Sequence, residues 1–363
     1  MLFPADGISD PTALNPMEPL SMTAPPTERT PTLADVARRA GVSTATVSRC
    51  LNTPDRVIEE TRNRVLQAVR DLGYSPNFGA RALAAKRTNT IGAVIPTMEN
   101  AIFARGLQAF QEELRLKGIT LLVASSSYRA DLEEEQIRTL VARGADGLFL
   151  IGAHRDPALY DFLKRRSIPT LVAWVHDPNA PVPTIGFDNH AAMLDLARRV
   201  IADGHRHIGV ISAEQAGNDR ARARVAAIRA AMDKAGLAPD ALSLVETAYG
   251  IDEGAAAFEA LMQRTPRPTV VMCGNDVLAV GAMGRAKEMG YDVPGDVSIT
   301  GFDDIELAKV CSPGLTTVHV PHRQMGTRAA RALISMVSEG TPGQGQRLDT
   351  RVVLRGSLGP PRA

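Results

Sequence analysis

The chain has only three cysteines, at positions 50, 273 and 311. They are too few and too widely spaced for a disulfide framework, and no pair has the spacing of metal ligands. No apolar run approaches the roughly 18 residues needed to cross a bilayer. The opening stretch MLFPADGISDPTALNPMEPL lacks the positive start and apolar centre of a secretory signal. A soluble, cytoplasmic protein with no membrane partner is therefore expected. The same stretch has prolines and no hydrophobic periodicity, which predicts a disordered extension over residues 1–30. The first apolar strand, in IGAVIPTMENA, is not followed by Gly-x-Gly-x-x-Gly, which excludes the dinucleotide-binding turn of a dehydrogenase. His205 and His207 form the nearest approach to a metal pair, but no third ligand accompanies them. No Ser/His/Asp or Cys/His grouping lies in a supporting motif. The sequence predicts a non-enzyme without metal or cofactor.

Charge is nearly balanced, at +1, yet unevenly placed. Residues 31–90 hold ten Lys or Arg against five Asp or Glu, whereas the rest of the chain is neutral or slightly acidic. A small basic module on a neutral body points to a polyanion that meets the module alone.

Within that module, LADVARRAGVSTATVSRCLN (residues 33–52) reads as two short helices joined by a tight turn. Thr32 and Asp35 have capping-box spacing, and Leu33, Val36, Ala37 and Ala40 share one face. Gly41 supplies the left-handed residue that ends the first helix. Ser43 caps the second, on which Val47 and Leu51 point inward at i, i+4. The arrangement suits a helix-turn-helix, although an αα-hairpin within a larger core has the same pattern. Thr44, Ala45, Ser48 and Arg49 lie on the outer face of the second helix, where short polar groups and a guanidinium can reach base edges or phosphates. A third helix is expected over Glu59–Leu72, ending at Gly73, followed by the short basic stretch NFGARALAAKRT (77–88). That stretch is too short to be stable alone in water.

From Ile91 onward, apolar strands alternate with amphipathic helices in two successive series. TIGAVIP, ITLLVASSS, GLFLIG and TLVAWV form the first, and HIGVIS, LSLVETA, TVVMCG and VSITGFD the second. The alternation predicts an α/β fold with doubly wound parallel sheets in two subdomains.

These motifs resemble the lactose-repressor and purine-repressor family of bacterial transcription regulators. The resemblance rests on TLADVARRAGVSTATVSRCLN, LGYSPN, ARALAAKRT, DGLFLIG, IGFDNHAA, GHRHIGVIS, NDVLAVGAM, SITGFDDIE and LTTVHVP, which run in order over about residues 32–355. It implies a helix-turn-helix DNA-binding domain at 31–76 and a hinge helix at 77–89. It also implies a periplasmic-binding-protein-like domain at 90–363, with an N-subdomain of about 90–186 and 318–347 and a C-subdomain of about 187–317 and 348–361. The implied partners are a pseudo-palindromic operator and a second copy of the chain, as a homodimer or tetramer. Thr44, Ala45, Thr46, Ser48 and Arg49 would face the DNA, together with Asn77, Arg81 and the hinge leucine Leu83, which wedges into the minor groove. Ile58 departs from the family, which often caps the third helix with Ser or Thr at this point.

The resemblance further implies a small sugar or sugar acid as effector, held at the strand ends. Arg224 would grip it, and Asp276, Asp188 and Asp303 stand where each either binds a hydroxyl or caps a helix. Ile102, Phe103, Trp174 and Tyr249 would wall the site, with Tyr128 as a further contact. PTMENAIFARGLQAF and IGFDNHAAM are most similar to the gluconate-repressor branch, which would make the ligand a sugar acid. A periplasmic-type sugar receptor without regulatory role is the rival expectation.

Overall fold

A computed structural model describes residues 30–75, 87–99 and 101–362, which form two compact units. The expected extension at 1–30 and most of the expected hinge helix, with Asn77, Arg81 and Leu83, lie outside the described residues.

The first unit is a three-helix module. Helix α1 (Leu33–Ala40) begins at a complete capping box: the Asp35 amide donates to Thr32 Oγ1, and Asp35 Oδ2 accepts from the Thr32 amide at 2.9 Å. It stops at Gly41, whose φ of +65° is open to glycine at no steric cost. Helix α2 (Thr44–Asn52) starts where Ser43 Oγ accepts the Thr46 amide at 3.1 Å. Helix α3 (Glu59–Leu72) has no side-chain cap, because Ile58 occupies the capping position. Val36, Ala37, Ala40, Val47, Cys50, Val65 and Ala68 form the buried core, with Leu33, Leu51, Val69 and Leu72 packed around it.

The second unit contains two parallel sheets. Strands β1 (Thr90–Ile95), β2 (Thr120–Ser125), β3 (Gly147–Ile151), β4 (Thr170–Ala173) and β5 (Thr184–Gly186) belong to the first. Its order is β11-β5-β4-β3-β1-β2, with β11 (Gln346–Arg347) returning from the far end of the chain. The second sheet has the order β7-β6-β8-β9, from β6 (Ile208–Ala213), β7 (Leu242–Thr247), β8 (Val270–Cys273) and β9 (Ser298–Thr300). Helices α4 (Ala101–Leu116), α5 (Ala130–Ala142) and α6 (Pro157–Arg165) connect the first series. Helices α7 (Asn189–Ala202), α8 (Asp219–Lys234), α9 (Ile251–Met262) and α10 (Asp276–Glu288) connect the second, followed by the short α11 (Leu307–Val310).

The chain then returns to the first sheet through β10 (Thr317–His319) and α12 (His322–Glu339), which packs along α4. It leaves again through β12 (Arg351–Val353), which pairs antiparallel with β10. These bounds match the two strand series read from the sequence. Arg87–Asn89, expected at the end of the hinge helix, are not helical: the Thr88 amide donates to Asp146, which fixes the segment to the base of the first sheet. Strand β2 is an edge strand, and its Leu122 and Val123 are exposed beside the exposed Leu116. Among the described residues no helix is long and apolar enough to cross a membrane.

Candidate functional site

The outer face of α2 presents Thr44, Ala45 and Arg49 to solvent, with Thr46 and Ser48 half-buried. Ser48 accepts from Asn52 Nδ2 at 3.2 Å, and Thr46 Oγ1 lies 2.9 Å from Ser43 Oγ, so the short polar groups are pre-ordered by neighbours one turn away. Arg49 has no ion pair among the described residues, leaving its guanidinium free for an external anion.

In the second unit, the C-terminal strand ends of both sheets carry the expected ligand residues, as open α/β sheets do. Arg224 is 6% exposed on α8. Its Nη1 donates to Asn189 Oδ1 at 3.3 Å, its Nη2 donates to the Tyr249 hydroxyl at 3.0 Å, and its plane lies 4.7 Å over the Phe302 ring. Its Nε has no partner among the described residues. Asn189 also donates to the Trp174 carbonyl at 3.0 Å, so one amide joins the ends of two elements.

Arg220, one turn before Arg224, is equally buried and pairs with Asp219 at 3.0 Å. It passes the end of β3 at Gly152, where a Cβ would force its guanidinium to shift. Asp219 in turn accepts from the Ala153 amide at 2.7 Å, a bond between the two sheets. Burial raises the Asp219 carboxyl, but Arg220 and that amide outweigh it and hold it below its ordinary range. Tyr128 and Tyr249 meet across the same boundary with ring centres 5.5 Å apart.

Asp303 is 3% exposed, and its carboxyl accepts no hydrogen bond among the described residues. Burial pushes its pKa well up, Arg224 and Arg220 pull it down, and Asp276 pushes it up again. Arg224 and Asp303 are thus a guanidinium and a carboxyl that influence each other without forming an ion pair, with burial the dominant effect on the carboxyl. Asp276 is engaged differently. Its Oδ1 accepts from Thr317 Oγ1 at 2.5 Å and its Oδ2 from the Ile305 amide at 2.8 Å, so both oxygens are occupied inside the protein. Burial nonetheless raises its pKa to about 7. Asp188 caps α7 by accepting from the Ala191 amide at 2.9 Å. For Asp276 and Asp188 the side chains thus serve the fold, and Asp303 alone of the three presents an unoccupied carboxyl.

The apolar side chains expected at the cleft are buried together. Trp174 is buried with a left-handed φ of +63°, edge-on to Phe103 at 5.3 Å and 6.0 Å from His322. Ile102 and Phe103 are buried on the first turn of α4. Glycine at 106 makes room, since a Cβ there would strike the indole. Burial lowers His322 to about 4, leaving a neutral ring. Its Nε2 lies 3.2 Å from the Asp303 carbonyl, which can only accept, so Nε2 carries the hydrogen and Nδ1 is a bare acceptor. Trp174 Nε1, Arg224 Nε and His322 Nδ1 are all buried without partners among the described residues. Such orphans are uncommon in folded interiors, and a ligand, ion or water can complete them here.

The sequence pattern singled out Arg224 but not Arg220, Asn189 or Phe302. The i, i+4 spacing of Arg220 and Arg224 places both on one helix face and was a usable signal. Asn189 and Phe302 are direct neighbours of selected aspartates and carried no separate signal. Among the described residues no cluster of His, Cys, Asp and Glu could hold a metal ion.

Residues 32–77 match the model of bacterial regulatory proteins of the lacI family, and residues 197–358 match that of a periplasmic binding protein-like domain. The HTH-type transcriptional repressor CytR of Escherichia coli (strain K12) is 32% identical over 338 residues, 93% of this chain and 98% of the relative. A LacI-family transcriptional regulator from Silicibacter pomeroyi superposes with a TM-score of 0.83 at 26% identity, covering 91% of this chain and 99% of the other. The lac repressor dimer bound to operator and an anti-inducer gives 0.79 at 25% identity, covering 91% and 99%. With a relative this similar over nearly its whole length, and with both the helix-turn-helix module and the two-sheet cleft in place, the chain belongs to the lacI family of bacterial regulatory proteins.

Proposed function

We propose that this regulator is a cytoplasmic repressor that binds a pseudo-palindromic operator as a homodimer and changes its DNA affinity when a sugar or sugar acid enters the cleft. The observation that carries the effector part is the pair Arg224 and Asp303, a buried guanidinium and a buried carboxyl without an ion pair between them, beside three polar atoms with no partner among the described residues. A polyhydroxylated ligand supplies acceptors for Arg224 Nε and Trp174 Nε1 and donors for Asp303 and His322 Nδ1. The effector-contact set is Arg224, Asp303, Trp174, Phe103, Ile102 and Tyr249, with Arg220 added, and Asp276 and Asp188 holding the loops that carry them. Arg224 and Arg220 give a gluconate-like acid a positive environment, although Asp219 already offsets Arg220.

The DNA-contact set is Thr44, Ala45, Thr46, Ser48 and Arg49, extended by Asn77, Arg81 and Leu83. The exposed apolar edge at Leu116, Leu122 and Val123 supports a second copy as partner. A sugar receptor without regulatory role would have no use for the free, pre-ordered face of α2. The test is to select duplexes from a random pool and measure affinity at two salt concentrations, alone and with a panel of sugars and sugar acids. Selection of a two-fold site with a steep salt dependence is expected, and one class of panel compound shifts the affinity. Failure to enrich any duplex would overturn the reading.

A further inference from the structure

The two segments that carry the chain between the sheets after β9 converge on one carboxylate. Asp304 is 9% exposed, and its Oδ2 lies 2.8 Å from His319 Nδ1 on β10. Its Oδ1 accepts from Arg355 Nη2 at 2.6 Å, two residues beyond β12. Arg355 is itself fixed, because Nη1 donates to the Leu315 carbonyl at 2.8 Å and its amide donates to Thr316 Oγ1 at 2.9 Å. Burial raises the Asp304 carboxyl, and the bonds from Arg355 and His319 outweigh it to leave the group below its ordinary range and charged.

The backbone at this point is under strain. Asp303 and Asp304 have φ values of +106° and +52°, two consecutive non-glycine residues in the left-handed half of the map. Such residues persist only where the surroundings over-determine them. Here the surroundings are the crossover strands. The Asp303 amide donates to the Val318 carbonyl at 2.9 Å, and the Asp304 amide donates to Thr317 Oγ1 at 3.4 Å. Thr317 also donates to Asp276, which accepts the next amide, that of Ile305. From this turn a continuous path leads into the cleft. The Asp303 carboxyl stands unoccupied beside Arg224, the Asp303 carbonyl accepts from His322, and the His322 ring lies against Trp174.

We propose that Asp304 is the positioning residue that couples the crossover strands to the cleft. Without touching a ligand, it clamps β10 and the segment after β12 together and so holds Asp303, His322 and Trp174 in their binding arrangement. A change in the angle between the sheets acts on these two crossovers, so the same carboxylate transmits that change to the ligand-facing groups. The reading of the cleft as the effector site gives this its functional consequence but does not enter its test.

Trp174 is the chain's single tryptophan, so intrinsic fluorescence reports the cleft without DNA or ligand. Acrylamide quenching and emission maximum would be measured on the full chain for wild type, Asp304→Asn and Arg355→Gln, with Arg355→Lys as the conservative partner. Leu163→Ala, in the buried core on the other side of the first sheet, serves as a destabilised control. Quenching rises several-fold with a red shift in Asp304→Asn and Arg355→Gln, Arg355→Lys retains most of the wild-type shielding, and Leu163→Ala leaves the signal unchanged. If Asp304→Asn does not fold, Arg355→Gln carries the same expectation. Wild-type quenching in the folded variants, or an equal rise in Leu163→Ala, overturns the proposal. Either result leaves the operator and effector measurements independently decidable.

Discussion

Arg49 and Arg224 carry the same guanidinium, and their surroundings give them opposite duties. Arg49 is exposed and unpaired on a helix face of small residues, so its energy is available only to something outside the chain. Arg49→Ala should remove roughly 1–3 kcal/mol of discrimination between operator and random duplex, as loss of one base-reading contact does. The melting temperature should barely move. Equal losses on both duplexes, measured by competition binding, would make Arg49 a phosphate contact only. His322 and Asp276 show burial acting in the two opposite senses. His322 falls from 6.5 to about 4, so between those values the unfolded chain takes up a proton that the folded one refuses. Acidification through that window therefore costs stability, at about 1.4 kcal/mol per pH unit. Asp276 rises from 3.8 to about 7, so the folded chain holds the extra proton and acidification adds stability over nearly the same range. The raised Asp303 acts in the same sense as Asp276. His322→Phe removes the opposing member, so its stability relative to wild type should climb as pH drops from 6.5 to 4. A difference that is constant with pH, in parallel denaturant titrations, would show that His322 titrates as in the unfolded chain.

At the scale of elements, local chemistry decided what was legible. Thr32, Asp35, Gly41 and Ser43 act within four residues of themselves, and the helix ends lie where they put them. The strand series was equally open, because β1, β3, β4 and β8 are buried along their whole length and read as continuous apolar runs. The departure at Ile58 was legible too: it is 78% exposed, and α3 begins without a side-chain cap. Ile58→Ser should consequently stabilise the helical module by about 1 kcal/mol, since Ser is among the favoured caps and Ile among the poorest. An unchanged or lowered denaturation midpoint of the module would mean that the α3 amides are already satisfied. The cleft was legible in its location but not in its division of labour. Whether Asp276 faces a ligand or the interior is settled by Thr317, forty-one positions away. The burial of Arg220 likewise rests on Asp219 and on the space beside Gly152, on the other sheet. Neither Thr317 nor Gly152 has a fixed spacing from the residue it controls, so no pattern along the chain encodes the pairing.

For the molecule as a whole, regulation requires that ligand and DNA each favour a different state of the same chain. A ligand shifts such an equilibrium only by its differential affinity for the two states, typically a coupling of about 1–3 kcal/mol. The contacts that can differ between states are those crossing the cleft. Among the described residues they include Ala153 to Asp219, Arg105 to Glu306, Tyr128 to Tyr249, His322 to the Asp303 carbonyl, and the Asn189 amide linking Trp174 to Arg224. Arg224 bonds Asn189 and Tyr249 on its own side of the division, reaches the other side only through the Asn189 bond to the Trp174 carbonyl, and has the Nε left over among the described residues. On the proposed function it contributes to ligand grip and, through Asn189, to reporting that grip across the cleft. Arg224→Ala should leave ligand-free operator affinity close to wild type and remove the effector response. Under an inducing ligand the variant stays on DNA, and under a corepressing one it never engages. The measurement is operator affinity with and without whichever sugar or sugar acid shifts the wild type. Reciprocity requires that this ligand's own affinity change between free and operator-bound wild type by the same factor, and that this change vanish in the variant. A variant with the full wild-type ligand shift would place the grip elsewhere in the cleft, with Arg220 and Asp303 as the next residues to test.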